Sequence, residues 1–295
     1  MDAQVQLRIS GLSSYYGVWR RTPISFRVGA VILAIHIVAA ATGPFWAPYG
    51  LAQMGAGMPL SGMSWAHPFG LDQMGRDVFS RVLHGGHIVI IMALSGTMLG
   101  AVLGSIVGLL SGYLGGWFDD VVMRIAEALI SIPFLILGML VISMAGSELA
   151  GQPVLVIFVV GFIYLPRFAR MARAAALDVI TRDFVMVARL RGENPWSVVR
   201  RELLPNATGV LLVEFALRAG TAPVLIASLG FLGFGLRPPT PEWGVLIAEN
   251  RPLIVVAPET VLGPGFVLAS LVIGLNLWTE GLARILGRTA RTNDQ

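Results

Sequence analysis

Six stretches of roughly twenty mainly apolar residues each constrain this chain more than any other feature. They cover approximately residues 28–48, 87–112, 121–145, 153–171, 206–232 and 260–282. An α-helix needs about 20 predominantly apolar residues to cross a bilayer. The pattern therefore predicts an all-α polytopic membrane protein of about six transmembrane helices. Composition agrees: 13% of the 295 residues are charged and mean hydropathy is +0.75, whereas a soluble domain is about 25% charged.

The absences are as informative. The chain has no Cys, which excludes disulfides, zinc–thiolate sites and thiol catalysis. All 21 basic residues are Arg. Without Lys there is no P-loop, so ATP, if it powers this protein, must bind another chain. The sequence pI of about 10.1 does not point to nucleic acid, because the arginines lie between apolar segments. Arg8, Arg20, Arg21 and Arg27 precede the first segment. Arg167, Arg170, Arg173, Arg182, Arg189, Arg191, Arg200 and Arg201 crowd the end of the fourth and the loop after it. Arg284, Arg288 and Arg291 follow the sixth. The other two long loops, 49–86 and 233–259, hold only Arg76, Arg81, Arg237 and Arg251. The positive-inside rule then puts both termini and loop 172–205 in the cytoplasm. A cleavable signal peptide ending near Ala39-Ala40-Ala41 is the alternative for the first segment, but its 27 preceding residues are long for an n-region.

Gly100, Gly104 and Gly108 share one face of the second segment, the spacing that lets membrane helices approach closely. In loop 172–205, Leu177, Ile180, Phe184 and Val187/Ala188 recur at helical spacing and predict an amphipathic helix. Gly192 sits where a left-handed terminator belongs. Asn194 can cap a second helix with Pro195 in its first turn. That helix is expected to end near Pro205, with Asn206 capping the fifth span. The loop reads as a helical hairpin whose apolar stripe and Trp196 call for a docking partner.

At this point a family resemblance emerges. Importer permeases carry Glu-Ala-Ala, three residues, Gly, nine residues, Ile-x-Leu-Pro. Here Met186, Val187, Ala188, Gly192, Glu202, Leu204 and Pro205 take those places, with Met186, Val187 and Glu202 departing from the pattern. The run from His67 to Asp77, with Asp72, Gly75, Arg76 and Asp77, resembles the His-Pro-x-Gly-Thr-Asp-x-x-Gly-Arg-Asp signature of the ABC-type di- and oligopeptide/nickel importer permeases. The run from Phe231 to Gly244, with Pro238, Pro239 and Trp243, is similar to their second signature. Trp278-Thr279-Glu280 departs from a later Leu-Gly-Asp. The resemblance spans residues 19–287, most like the C-type permease subunit.

The resemblance implies the type I ABC importer transmembrane fold: a cytoplasmic segment 1–27, a permease domain 28–287 and a tail 288–295. It implies no cofactor on this chain. Its implied partners are a second homologous permease, two ATPase subunits that bind ATP and Mg, and an extracytoplasmic solute-binding protein. Phe184, Met186, Val187, Ala188, Gly192, Asn194, Trp196, Leu204 and Pro205 would form the ATPase-coupling loop.

Other readings come from the residues themselves. Asp72, Arg76 and Asp77 can form an exposed ion-pair and capping cluster beside a short helix over 77–83. Trp243 suits the membrane interface, opening a short helix over 243–248. Glu214 and Arg218, four apart in the fifth span, can pair; they either line a polar path or lock helices together. An ion-coupled secondary transporter using Glu127, Glu214 or Glu280 is the competing function, but it gives the hairpin no role.

Overall fold

The computed structural model describes residues 22–293, with side chains through Ile285. Arg8, Arg20 and Arg21, and with them most of the expected segment 1–27, lie outside the described residues. So do the side chains of Arg288 and Arg291 in the expected tail. Helices carry the described fold: α1 (Ile24–Trp46), α2 (Val78–Leu114), α3 (Gly116–Ser131), α4 (Phe134–Met144), the single turn α5 (Gly146–Leu149), α6 (Pro153–Val179), α7 (Asp183–Leu190), α8 (Pro195–Phe231), α9 (Trp243–Asn250) and α10 (Glu259–Asn293). Helix α1 already includes Arg27, so the first span begins earlier than expected.

Five of these helices, α1, α2, α6, α8 and α10, are long and apolar enough to cross a membrane. The expected third span is instead broken: α3 and α4 meet at 99°. Ile132 is extended and Pro133 precedes α4. A proline ring clashes with the preceding turn and offers no N–H, and at Pro133 the helix breaks. Counted as one span, the pair brings the total to six.

A glycine seam sets the spacing of α2 and α6. A Cβ on Gly100 would lie 2.7 Å from the carbonyl oxygen of Gly161, on Gly104 2.5 Å from that of Leu165, and on Gly108 2.1 Å from that of Ala169. Gly96 and Gly112 extend the seam against Val160 and Ala176. Close backbone approach maximises van der Waals contact where lipid supplies no hydrophobic drive. The expected one-face pattern thus packs within the subunit. Helices α1 and α10 pair similarly, through Gly29, Gly274 and Gly281.

Two expected boundaries differ. No separate helix covers 77–83. Asp77 accepts a hydrogen bond from the Ser80 N–H (2.7 Å) and caps α2 itself, which runs on unbroken to Leu114. Pro205 does not end a helix, and Asn206 caps nothing: its Nδ2 donates to the Glu202 carbonyl oxygen. A π turn over Val199–Leu203, with the Leu204 N–H donating to the Val199 carbonyl oxygen, widens the helix ahead of Pro205. Such a bulge relieves the missing bond and the ring clash, and α8 continues from the hairpin to Phe231.

Candidate functional site

The hairpin is built from local chemistry. Gly192 has φ +72°. Its N–H donates to the Arg189 carbonyl oxygen (3.0 Å) and the Glu193 N–H to that of Ala188 (3.2 Å), the paired bonds that terminate a helix through a left-handed residue. Asn194 Oδ1 accepts from the Ser197 N–H at 2.7 Å, with Pro195 in the first turn. The expected turn and cap are both there.

The apolar stripe is not the expected one. A break at 180–182 separates α6 from α7 and shifts the helical phase. Val185 and Ala188 face inward, packing with Val198, Val199 and Leu203 against Ala172, Ala176 and Leu109. Ala188 is therefore a core residue with no exposed surface. Phe184, Met186, Val187, Leu190, Trp196 and Leu204 are left exposed. Arg189 lies over the Tyr113 ring, 4.7 Å from its centroid, and ties α7 to the end of α2.

The signature around Asp72 folds into a buried cluster, not an exposed one. Leu71 bridges Asp77, and Gly75 turns the chain at φ +66°. Asp72 Oδ1 accepts from the Met74 and Arg76 N–H groups. Asp72 Oδ2 pairs with Arg76 Nε (2.6 Å) and Arg81 Nη1 (3.2 Å). Glu249 of α9 completes the set, its Oε2 3.1 Å from Arg76 Nη2 and 2.7 Å from Arg81 Nη1. Two guanidiniums and two carboxylates balance, and Arg81 is wholly buried. Sequence reasoning missed Arg81 and Glu249 because they lie 168 residues apart. Asp77 also accepts from, or pairs with, His67 Nδ1 at 2.9 Å.

Beside this cluster Trp243 is buried rather than interfacial, its Nε1 donating to the Val82 carbonyl oxygen (3.0 Å). Gly85 and Gly244 bring the backbones of α2, α8 and α9 together there. Glu242 caps α9, accepting from the Gly244 (2.8 Å) and Val245 (3.0 Å) N–H groups. Burial pushes its carboxyl up to about 7, although the two backbone hydrogen bonds pull the other way. Pro238 and Pro239 form an exposed connector ahead of it. Within the membrane helices the expected Glu214–Arg218 pair forms, Arg218 Nε to Glu214 Oε1 at 2.6 Å.

Helices long and apolar enough to cross a membrane, with a helical hairpin between two of them, define a polytopic membrane protein among the described residues. Residues 100–292 match the family described as binding-protein-dependent transport system inner membrane component. Glutathione transport system permease protein GsiD of Shigella flexneri serotype 5b is 39% identical over 222 residues, covering 75% of this chain and 72% of that one. The GsiD proteins of Escherichia coli O6:K15:H31 and Pectobacterium atrosepticum are 36% and 34% identical with the same coverage. Among solved structures, inward-facing MetNI methionine ABC transporter aligns with TM-score 0.48 and 22% identity, covering 67% of this chain and 94% of that one. This chain belongs to the binding-protein-dependent ABC importer permease family. With the family comes the type I transmembrane fold that the sequence resemblance implies.

Proposed function

We propose that this chain is one of two permease subunits of an ATP-driven importer of peptides or related solutes, and that it forms half of the translocation path. One observation carries the proposal: an exposed apolar face of Phe184, Met186, Val187, Leu190 and Trp196 stands on a hairpin welded to the bundle by Val185, Ala188, Val198 and Leu203. Exposed apolar patches of this kind mark interaction sites. A rigidly mounted patch can pass a partner's motion into α6 and α8, which both lead out of it. The partners would be two ATPase subunits, which bind ATP and Mg and carry out hydrolysis. A second, homologous permease and an extracytoplasmic solute-binding protein complete the assembly. The permease domain would span 28–287, with both termini and the hairpin cytoplasmic, as the arginine distribution argues. The relatives' role in glutathione transport supports a peptide cargo, since glutathione is a tripeptide.

The test exploits the absence of native cysteine. Single cysteines replacing Phe184 or Trp196 should crosslink to the ATPase subunits in the assembled complex, and one replacing Thr240 should not. Reconstituted uptake should need ATP and all subunits. Uptake by this chain alone, driven by an ion gradient without ATP, would instead establish a secondary transporter.

A further inference from the structure

Arg167 has no place in the hairpin, in the buried cluster or in the glycine seam. It lies midway along α6, and Arg218 midway along the Leu204–Phe231 part of α8. Arg218 is about 20 Å from either end of that stretch, and Arg167 lies one turn from the arginine-rich end of the fourth apolar segment, 153–171. The Tyr164 and Thr221 hydroxyls, 3.0 Å apart, hold the two helices level. Arg167, Arg218, Tyr164 and Thr221, with Phe134, line a cavity of about 250 Å³. Phe134 is the first residue of α4, so the break in the third span opens onto the same space.

The charges there do not balance. Glu214 neutralises Arg218. Among the described residues no carboxylate pairs with Arg167. A helix-locking pair needs no second arginine, and an uncompensated guanidinium in hydrocarbon is costly unless it faces a polar cavity or a ligand. Arginine presents a planar fork matched to carboxylate. The α4 N-terminus, which lacks a side-chain cap, adds potential of the same sign.

We propose that Arg167 and Arg218 form a station in this cavity that receives a carboxylate of the transported solute, with Arg167 supplying the uncompensated charge and the Tyr164 and Thr221 hydroxyls flanking it. The proposal rests on the chain's role as an importer permease. It specifies the cargo as solutes with a free carboxylate, and one carboxylate makes the site neutral.

The decisive experiment reads the cavity's potential without transport. Thr221→Cys in the assembled importer is reacted with negatively charged sulfonatoethyl and positively charged trimethylammonioethyl methanethiosulfonate, with and without ATP. Rates are divided by those for a free thiol. The sulfonate reagent should be favoured about tenfold, the ratio expected from one nearby partly screened charge. Arg167→Gln should bring the ratio toward parity and Arg167→Lys should restore it. No preference, a preference indifferent to Arg167→Gln, or no reaction of either reagent in both nucleotide states overturns the proposal. A second measurement follows dipeptide uptake in proteoliposomes of the complete importer. Arg167→Gln should lower it about tenfold and Arg167→Lys should keep it. If the wild type imports no dipeptide, the peptide reading fails while the thiol result still judges the station. If the wild type imports dipeptide and Arg167→Gln does so equally, the station fails alone.

Discussion

Replacing Arg81 by methionine tests the buried cluster most directly. Arg81 Nη1 bridges Asp72 and Glu249, and the side chain is fully buried. Its Nε and Nη2 have no hydrogen-bond partner among the described residues, so the guanidinium holds its place through that one bridging nitrogen. Methionine keeps the stem but leaves two carboxylates facing only Arg76. Removing one partner of a buried ionic set costs roughly 3–5 kcal/mol, because an uncompensated charge stays behind. For a chain of this size that corresponds to a drop in melting temperature of about 10 °C. The seven tryptophans give an intrinsic fluorescence readout of detergent-solubilised complex. Arg81→Met with Glu249→Gln removes one charge of each sign and leaves Asp72–Arg76 intact. The double variant should lose less than the two single losses added together, by a coupling of about 1–3 kcal/mol. If Arg81→Met melts within 2 °C of wild type (about 1 kcal/mol or less), or if the two losses simply add, the cluster does not clamp α9 as described.

Further outcomes follow from other sites. Gly192→Val strains a left-handed residue by about 1–2 kcal/mol. No atom lies within 4 Å of the added Cβ, so insertion and assembly should survive while solute-stimulated ATP hydrolysis and uptake fall; Gly192→Asn, which tolerates φ > 0, should retain both, and normal uptake by Gly192→Val would refute a coupling role. Glu242 is protonated in the folded protein at pH values where an unfolded Glu is ionised, so the stability it contributes is fully present below about pH 4.5 and is lost as pH rises through about 7. That shift corresponds to roughly 3 kcal/mol, and a melting-temperature profile from pH 5 to 8 should slope downward in wild type and flatten in Glu242→Gln. Cysteines at Ser61 and Thr240 should label with an impermeant reagent from outside intact cells, and one at Ser197 should not; labelling of Ser197 would reverse the proposed topology.

What could be read in advance was local. The Glu214–Arg218 pair sits four residues apart on one helix, and the Gly192 turn and Asn194 cap are decided within six residues, so spacing alone exposes them. The Gly100–Gly104–Gly108 face announces close packing, though not that α6 is the partner. The losses have equally definite causes. Glu249 enters the Asp72 cluster from the far end of the chain, and short-range spacing carries no trace of that. The stripe through Leu177 and Phe184 fails because the turn at Thr181-Arg182 resets the helical phase, and Val185 rather than Phe184 turns inward. Pro133 and Pro205 look alike as helix breakers, yet one bends a span by 99° while a π turn absorbs the other. The cost of each depends on whether the chain ahead can widen, and composition does not record that.

The seam between α2 and α6 also sets how this sequence can drift. At Gly100, Gly104 and Gly108 the obstacle to any larger residue is a backbone oxygen of the opposite helix. No second substitution can remove a carbonyl, so these three positions have no compensating partner anywhere in the chain. At Gly96 and Gly112 the neighbours include the side chains of Val160 and Ala176, which a paired change can trim. Lineages can therefore exchange bulk across the two ends of the seam, while its middle stays closed to every residue but glycine for as long as the two helices keep their distance.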